Sequence, residues 1–204
     1  RKSKTRRPIL ANWFGVLYTL RSGIAAFGSE ILKTELNRAP ISAAGRRFAI
    51  VVSRWNHELT SRLAAGAAEA LSGAGADAGD VETFWVPGAF ELPLACQMAA
   101  ETGEFDAVIA LGVVIRGDTP HFDYVAGQAA AGVMKAGLNT GIPVLFGVIT
   151  ADTTEQAVAR SGEKEDNKGY EAALAAIEMA SLCHEFAGRD QMFAVEDKVI
   201  PNVV

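Results

Sequence analysis

From Phe48 onward, short continuous apolar runs alternate with longer stretches in which apolar residues return every three or four positions. Phe48-Ala49-Ile50-Val51-Val52 is unbroken and rich in β-branched residues, the pattern of a strand buried on both faces. After Ser53-Arg54-Trp55-Asn56, the residues Leu59, Leu63, Gly66, Ala67, Ala70 and Leu71 recur at helical spacing, and Gly73 and Gly75 close that helix. The same alternation predicts strands over 81–86, 107–114 and 142–149, and helices over 89–100, 120–138, 153–161 and 167–186. Asn167 stands where an N-cap belongs, and Tyr170, Leu174 and Ile177 share one face of the last helix. Strand followed by helix with short connections implies a parallel sheet covered on both sides. The expected architecture is α/β, a three-layer αβα sandwich around a central, mostly parallel four-stranded sheet. The turn after the first strand is not Gly-x-Gly-x-x-Gly, so the dinucleotide fingerprint is absent.

Half of the 204 residues are hydrophobic and about a fifth are charged, as in a soluble globular domain. That length suits one packed domain with an appendage. The net charge of −5 hides an asymmetry: residues 1–47 hold ten basic and two acidic residues, residues 48–204 nine and twenty-two. An acidic body is a poor nucleic-acid surface, and none is expected as partner. Arg1–Arg7 followed by the apolar run Pro8–Leu20 reads either as a targeting segment or as an appendage outside the fold. Asn12, Gly15 and Thr19 interrupt that run, which is too short to span a bilayer, so no membrane partner is expected. The expected division is a basic extension over 1–45, the domain over 46–187 and a tail over 188–204. Two distant cysteines, Cys96 and Cys183, each within a helical pattern, read as reduced thiols of a cytoplasmic protein. An organelle is the alternative if residues 1–45 are a transit peptide. Three histidines with no Cys/His cluster argue against a metal site.

Ligands of open parallel sheets bind beyond the carboxyl ends of the strands, and here each strand runs into a distinctive loop. The first leads to Trp55 and Asn56, the second to Val86-Pro87-Gly88-Ala89-Phe90-Glu91-Leu92-Pro93, where proline and glycine fix a turn that exposes Phe90 and Glu91. The third leads to Arg116-Gly117-Asp118-Thr119-Pro120-His121. The unpaired amides and partial positive charge of a helix start make that turn an anion pocket, and an imidazole beside it can move protons near neutral pH. The fourth strand carries Phe146, and Arg160 and Asn167-Lys168-Gly169 follow it. Each element taken alone has an ordinary reading. Trp55, Phe90 and Phe146 pack, Glu91 complements a helix dipole, and Asp118 or Thr119 caps with Pro120 in the first helical position. Arg160 and Lys168 are then solvated charges. Together they suit a flat heterocycle and a small phosphorylated partner, handled by metal-free acid–base chemistry.

In order and spacing these loops resemble the 6,7-dimethyl-8-ribityllumazine synthase family, whose fold is flavodoxin-like. The resemblance spans about residues 47–187. Its carriers are Ser53–Asn56, Trp85–Ala95, Ala110–Val125, Gly141–Thr150 and Asn167–Gly169. It implies condensation of 5-amino-6-(D-ribitylamino)uracil with 3,4-dihydroxy-2-butanone 4-phosphate, using neither metal nor cofactor. By position it implies that Trp55 stacks on the pyrimidine, that Ala89, Phe90 and Glu91 hold the ribityl chain, and that Val113, Val114 and Ile115 line the ring site. Asp118, Thr119 and Arg160 would take the phosphate and His121 would transfer protons. Phe146 and Lys168 would complete the pocket across a subunit boundary. The implied assembly is a homo-pentamer or a larger pentamer-based particle, with riboflavin synthase a possible partner. Alternatives are an archaeal-type riboflavin synthase on the same fold and a catalytically idle shell or flavin-binding protein. Trp55 is bulkier and Asp118 shorter than the residues common there, and Glu163-Lys164-Glu165-Asp166 is more acidic than the usual linker.

Overall fold

The structure is a computed structural model that describes the backbone of residues 42–196 and the side chains through Gly188. Most of the expected extension over 1–45, and the end of the expected tail, lie outside the described residues. The elements follow in the order β1 (Phe48–Ser53), α1 (His57–Gly73), β2 (Val81–Val86), α2 (Leu92–Glu101), β3 (Ala107–Ile115), α3 (His121–Thr140), β4 (Val144–Ala151), α4 (Thr154–Ala159) and α5 (Lys168–Glu196). The four strands pair in the order β2-β1-β3-β4, and every pairing is parallel. Sheet and helices thus confirm the α/β flavodoxin-like expectation, with the sheet wholly rather than mostly parallel.

The unbroken apolar runs are explained by two cores, one on each face of the sheet. Along β1, Phe48, Ile50 and Val52 point to the side covered by α1 and α5, where Leu63, Leu71 and Ile177 are fully buried. Ala49 and Val51 point the other way, toward Leu92 and Cys96 of α2 and Val133 of α3. A strand with a core on both sides has no polar face to alternate with, which is why β1 and β3 read as continuous hydrophobic segments.

Helix α1 crosses α5 closely enough that two positions require glycine. A Cβ at Gly66 would lie 2.5 Å from the Asn167 carboxamide, and one at Gly169 would fall onto the carbonyl of Leu63. At the sheet's amino end, Asp106 ties β3 to its neighbours. Its Oδ2 accepts from the Arg47 amide at 2.7 Å and its Oδ1 meets Nε2 of His184 on α5 at 2.6 Å.

Several boundaries differ from the sequence expectation: β4 runs Val144–Ala151 rather than over 142–149, α4 is shorter than 153–161, and β3 and α3 each end one or two residues later. Residues 89–91 form a 3₁₀ turn and α2 begins only at Leu92, because Pro93 suits a first helical turn. Helix α3 begins at His121 rather than Pro120; Pro120 occupies the cap position and no side chain caps there, so neither Asp118 nor Thr119 plays the capping role expected of it. Helix α5 continues ten residues beyond Phe186 to Glu196, through a stretch that contains no proline.

Candidate active site

A cleft of about 700 Å³ opens at the carboxyl ends of β1, β2 and β3. Its first wall is the loop after β1. The Arg54 and Trp55 amides donate to the carbonyls of Val86 (2.8 Å) and Pro87 (3.2 Å), so this loop extends the strand pairing by two residues. Asn56 then takes a left-handed conformation (φ 59°), which turns the chain into α1. Its Nδ2 donates to the carbonyl of Val113 at 2.9 Å, fastening this wall to the end of β3. Trp55, released by that turn, leaves its ring 74% exposed at the rim. An indole this exposed is not a core residue.

The second wall is the turn after β2. Gly88 is fully extended and Ala89–Glu91 close a 3₁₀ turn in which the Glu91 amide donates to the Gly88 carbonyl at 3.3 Å. Ala89 is buried, whereas Phe90 and Glu91 face the cleft. The floor is the end of β3, where Val113 is buried and Val114 and Ile115 are half-buried. The third wall comprises Gly117, Thr119 and His121, with Phe122, Tyr124 and Val125 of α3 beyond them. Asp118 lies within the same turn and is exposed. The Asp123 amide donates to the Pro120 carbonyl at 3.1 Å, but no side chain caps this start, so the N–H groups of His121 and Phe122 stand without a helical acceptor beside the imidazole.

The guanidinium of Arg116 sits behind this turn. Its Nε donates to Asp152 Oδ1 at 2.7 Å, its Nη1 lies 3.1 Å from Asp123 Oδ1, and it covers the Phe122 ring at 4.1 Å. The bond to Asp152, then the bond and charge of Asp123, push the guanidinium further above its ordinary value.

The remaining predicted residues are elsewhere in the same chain. Arg160 and Lys168 line a second cleft of about 480 Å³ with Thr150, Glu165, Asp166 and Glu171. Lys168 Nζ is paired with Glu171 at 2.7 Å, and the Lys168 amide donates to the Arg160 carbonyl at 2.9 Å. Phe146 is half-buried and packs against the core between the sheet, α2 and α3. Within one chain, therefore, the structure gathers Trp55, Ala89, Phe90, Glu91, Val113, Val114, Ile115, Thr119 and His121, with Asp118 beside them. It does not bring Arg160, Lys168 or Phe146 to them.

Seven lining residues were given no site role from the sequence: Asn56, Pro87, Gly88, Gly117, Phe122, Tyr124 and Val125. Tyr124, 70% exposed, and Val125 stand three and four residues after His121, and helical spacing from the histidine would have found them. Asn56 carried no such signal, because its role rests on a bond to a strand that is 57 residues away.

An open parallel sheet, helices on both faces and a partly apolar cleft beyond the strands' carboxyl ends define a doubly wound α/β protein with a small-molecule site. The family model for 6,7-dimethyl-8-ribityllumazine synthase matches residues 45–184, and the chain belongs to that family. The family's reaction is a transfer within riboflavin biosynthesis.

Proposed function

We propose that this chain condenses 5-amino-6-(D-ribitylamino)uracil with 3,4-dihydroxy-2-butanone 4-phosphate to give 6,7-dimethyl-8-ribityllumazine. The reading is carried by the convergence on one cleft of a rim indole, a carboxylate and an imidazole from three separate loops. The Trp55 ring stacks on the pyrimidine, Phe90 packs beside it, and Glu91 accepts hydrogen bonds from the ribityl hydroxyls. Backbone groups of Val113–Ile115 meet the ring edge. The amides of Gly117, Asp118 and Thr119 hold the phosphate, and Pro120, which has no N–H to offer, ends that turn.

The amine attacks the ketone, and loss of one water gives an imine. A proton leaves the adjacent carbon as the phosphate departs with the C–O bonding pair. The enol this leaves takes up a proton at its terminal carbon and becomes a methyl ketone; the second amine closes the ring on that new carbonyl, and a second water leaves. His121 relays the protons, and orientation of the two reactants supplies most of the acceleration. The second cleft brings opposite charge. Arg160 answers the phosphate, and Lys168 and Phe146 complete the site from a neighbouring copy in a homo-pentamer or larger particle.

Mixing both substrates with the purified chain and following lumazine absorbance together with inorganic phosphate tests the proposal. Equal appearance of both products is expected. Production of riboflavin from lumazine alone would assign the other flavin-pathway reaction, and no product from either mixture would leave a binding shell.

A further inference from the structure

We propose that Arg116 is a positioning residue, a clasp that holds the first turn of α3 against the loop after β4 and so sets where His121 and the anion-facing amides stand. The inference rests on the reading of the cleft given above. The Arg116 amide makes the last bond of the β3–β4 ladder, donating to Ala151 at 2.9 Å. Its side chain then bridges the first turn of α3 and the residue that follows β4. Nη1 and the guanidinium face engage Asp123 and Phe122, the two residues that immediately follow His121. Nε engages Asp152, whose own amide donates to Gln156 Oε1 of α4 at 2.9 Å, the helix that ends just before Arg160.

The turn between these anchors has little else to fix it. Gly117 has open space where a Cβ would be, Pro120 supplies no side-chain cap, and residues 116–121 are all exposed. A rigid fork gripping a carboxylate on each side, and stacked on a ring, restrains direction as well as distance. Two carboxylates also more than neutralise the guanidinium, which makes Arg116 a poor anion ligand and separates its part from that of Arg160. As an exposed ion-pair cluster it contributes little to global stability, so its role is read in geometry and not in melting.

The test uses the 204-residue chain with Arg116→Ala and Arg116→Lys, each also combined with His121→Ala. Displacing a reacting group by less than an ångström is expected to lower kcat about 10-fold and raise KM for the phosphorylated substrate by about as much. KM for the pyrimidine should stay within about 2-fold, and the melting temperature within about 3 °C. Lysine cannot reproduce the fork and should stay within about 3-fold of alanine. On the His121→Ala background the kcat cost of losing Arg116 should shrink below about 2-fold, because the group it positions is gone. Full multiplication of the two losses would overturn the clasp. Amide hydrogen exchange over residues 117–123 reads the same contact without turnover. Faster exchange in Arg116→Ala supports the proposal and unchanged exchange overturns it, whether or not the wild-type chain makes lumazine. Failure of the wild type to make lumazine bears on the proposed reaction alone.

Discussion

Replacing Asn167 by alanine removes a side chain that four backbone groups share. Asn167 is 3% exposed. Its Nδ2 donates to the carbonyls of Arg62 (3.0 Å) and Gly162 (2.8 Å), and its Oδ1 accepts from the amides of Gly169 (2.9 Å) and Tyr170 (3.1 Å). The carboxamide therefore caps α5, holds the 160s loop and bridges to α1 across the Gly66 contact. At about 1 kcal/mol net per bond the loss approaches 4 kcal/mol; water reaching the exposed carbonyls returns part of it, leaving about 3 kcal/mol. For a domain of this size, that is a fall in melting temperature of about 6–12 °C. Asn167→Asp is the discriminating partner. It keeps both acceptor bonds and adds favourable charge at a helix start, but sets an oxygen against two carbonyl oxygens. Its loss of stability therefore reads the two carbonyl contacts apart from the two amide bonds it retains. Differential scanning calorimetry at fixed protein concentration measures both. An alanine variant melting within about 2 °C of wild type would refute the shared-bond account.

Four further outcomes are expected. His121→Ala should slow turnover about 10- to 100-fold without abolishing it, since orientation of two bound substrates survives; a fall to the uncatalysed rate, measured by stopped-flow absorbance, would contradict this division. Arg160→Ala should raise KM for the phosphorylated substrate by roughly 10-fold or more while kcat changes little, and an unchanged KM in steady-state titrations would remove Arg160 from the phosphate site. Burial pushes the Cys96 thiol up from 9.0 to about 12. At pH 8 iodoacetamide should therefore label half-buried Cys183 before Cys96, read by mass spectrometry. Because the folded value lies above the unfolded one, Cys96 contributes stability fully present below about pH 9 and lost as pH rises toward 12. A Cys96→Ala chain should show a correspondingly flatter decline in alkaline melts.

What the chain's local pattern determined is considerable. Strand and helix identities follow from periodicities of two and 3.6, or from unbroken apolar runs, and these depend on neighbours within a few residues. The cap at Asn167 and the cleft loops after β1, β2 and β3 were legible for the same reason, as was the imidazole at the start of α3. Tertiary structure alone decided the rest. The order β2-β1-β3-β4 sets which loop ends converge, and it gathered Trp55, Glu91 and His121 while leaving Arg160 and Lys168 in another cleft of the same chain. The expected cap at Asp118 or Thr119 failed because Pro120 itself holds the cap position. Asn56 on Val113, and Arg116 between Asp123 and Asp152, join residues that are distant in sequence. A local pattern records which face of an element is apolar. The direction in which a polar side chain finds its partner depends on strand order, sheet twist and the approach of other helices, and only the folded chain supplies these.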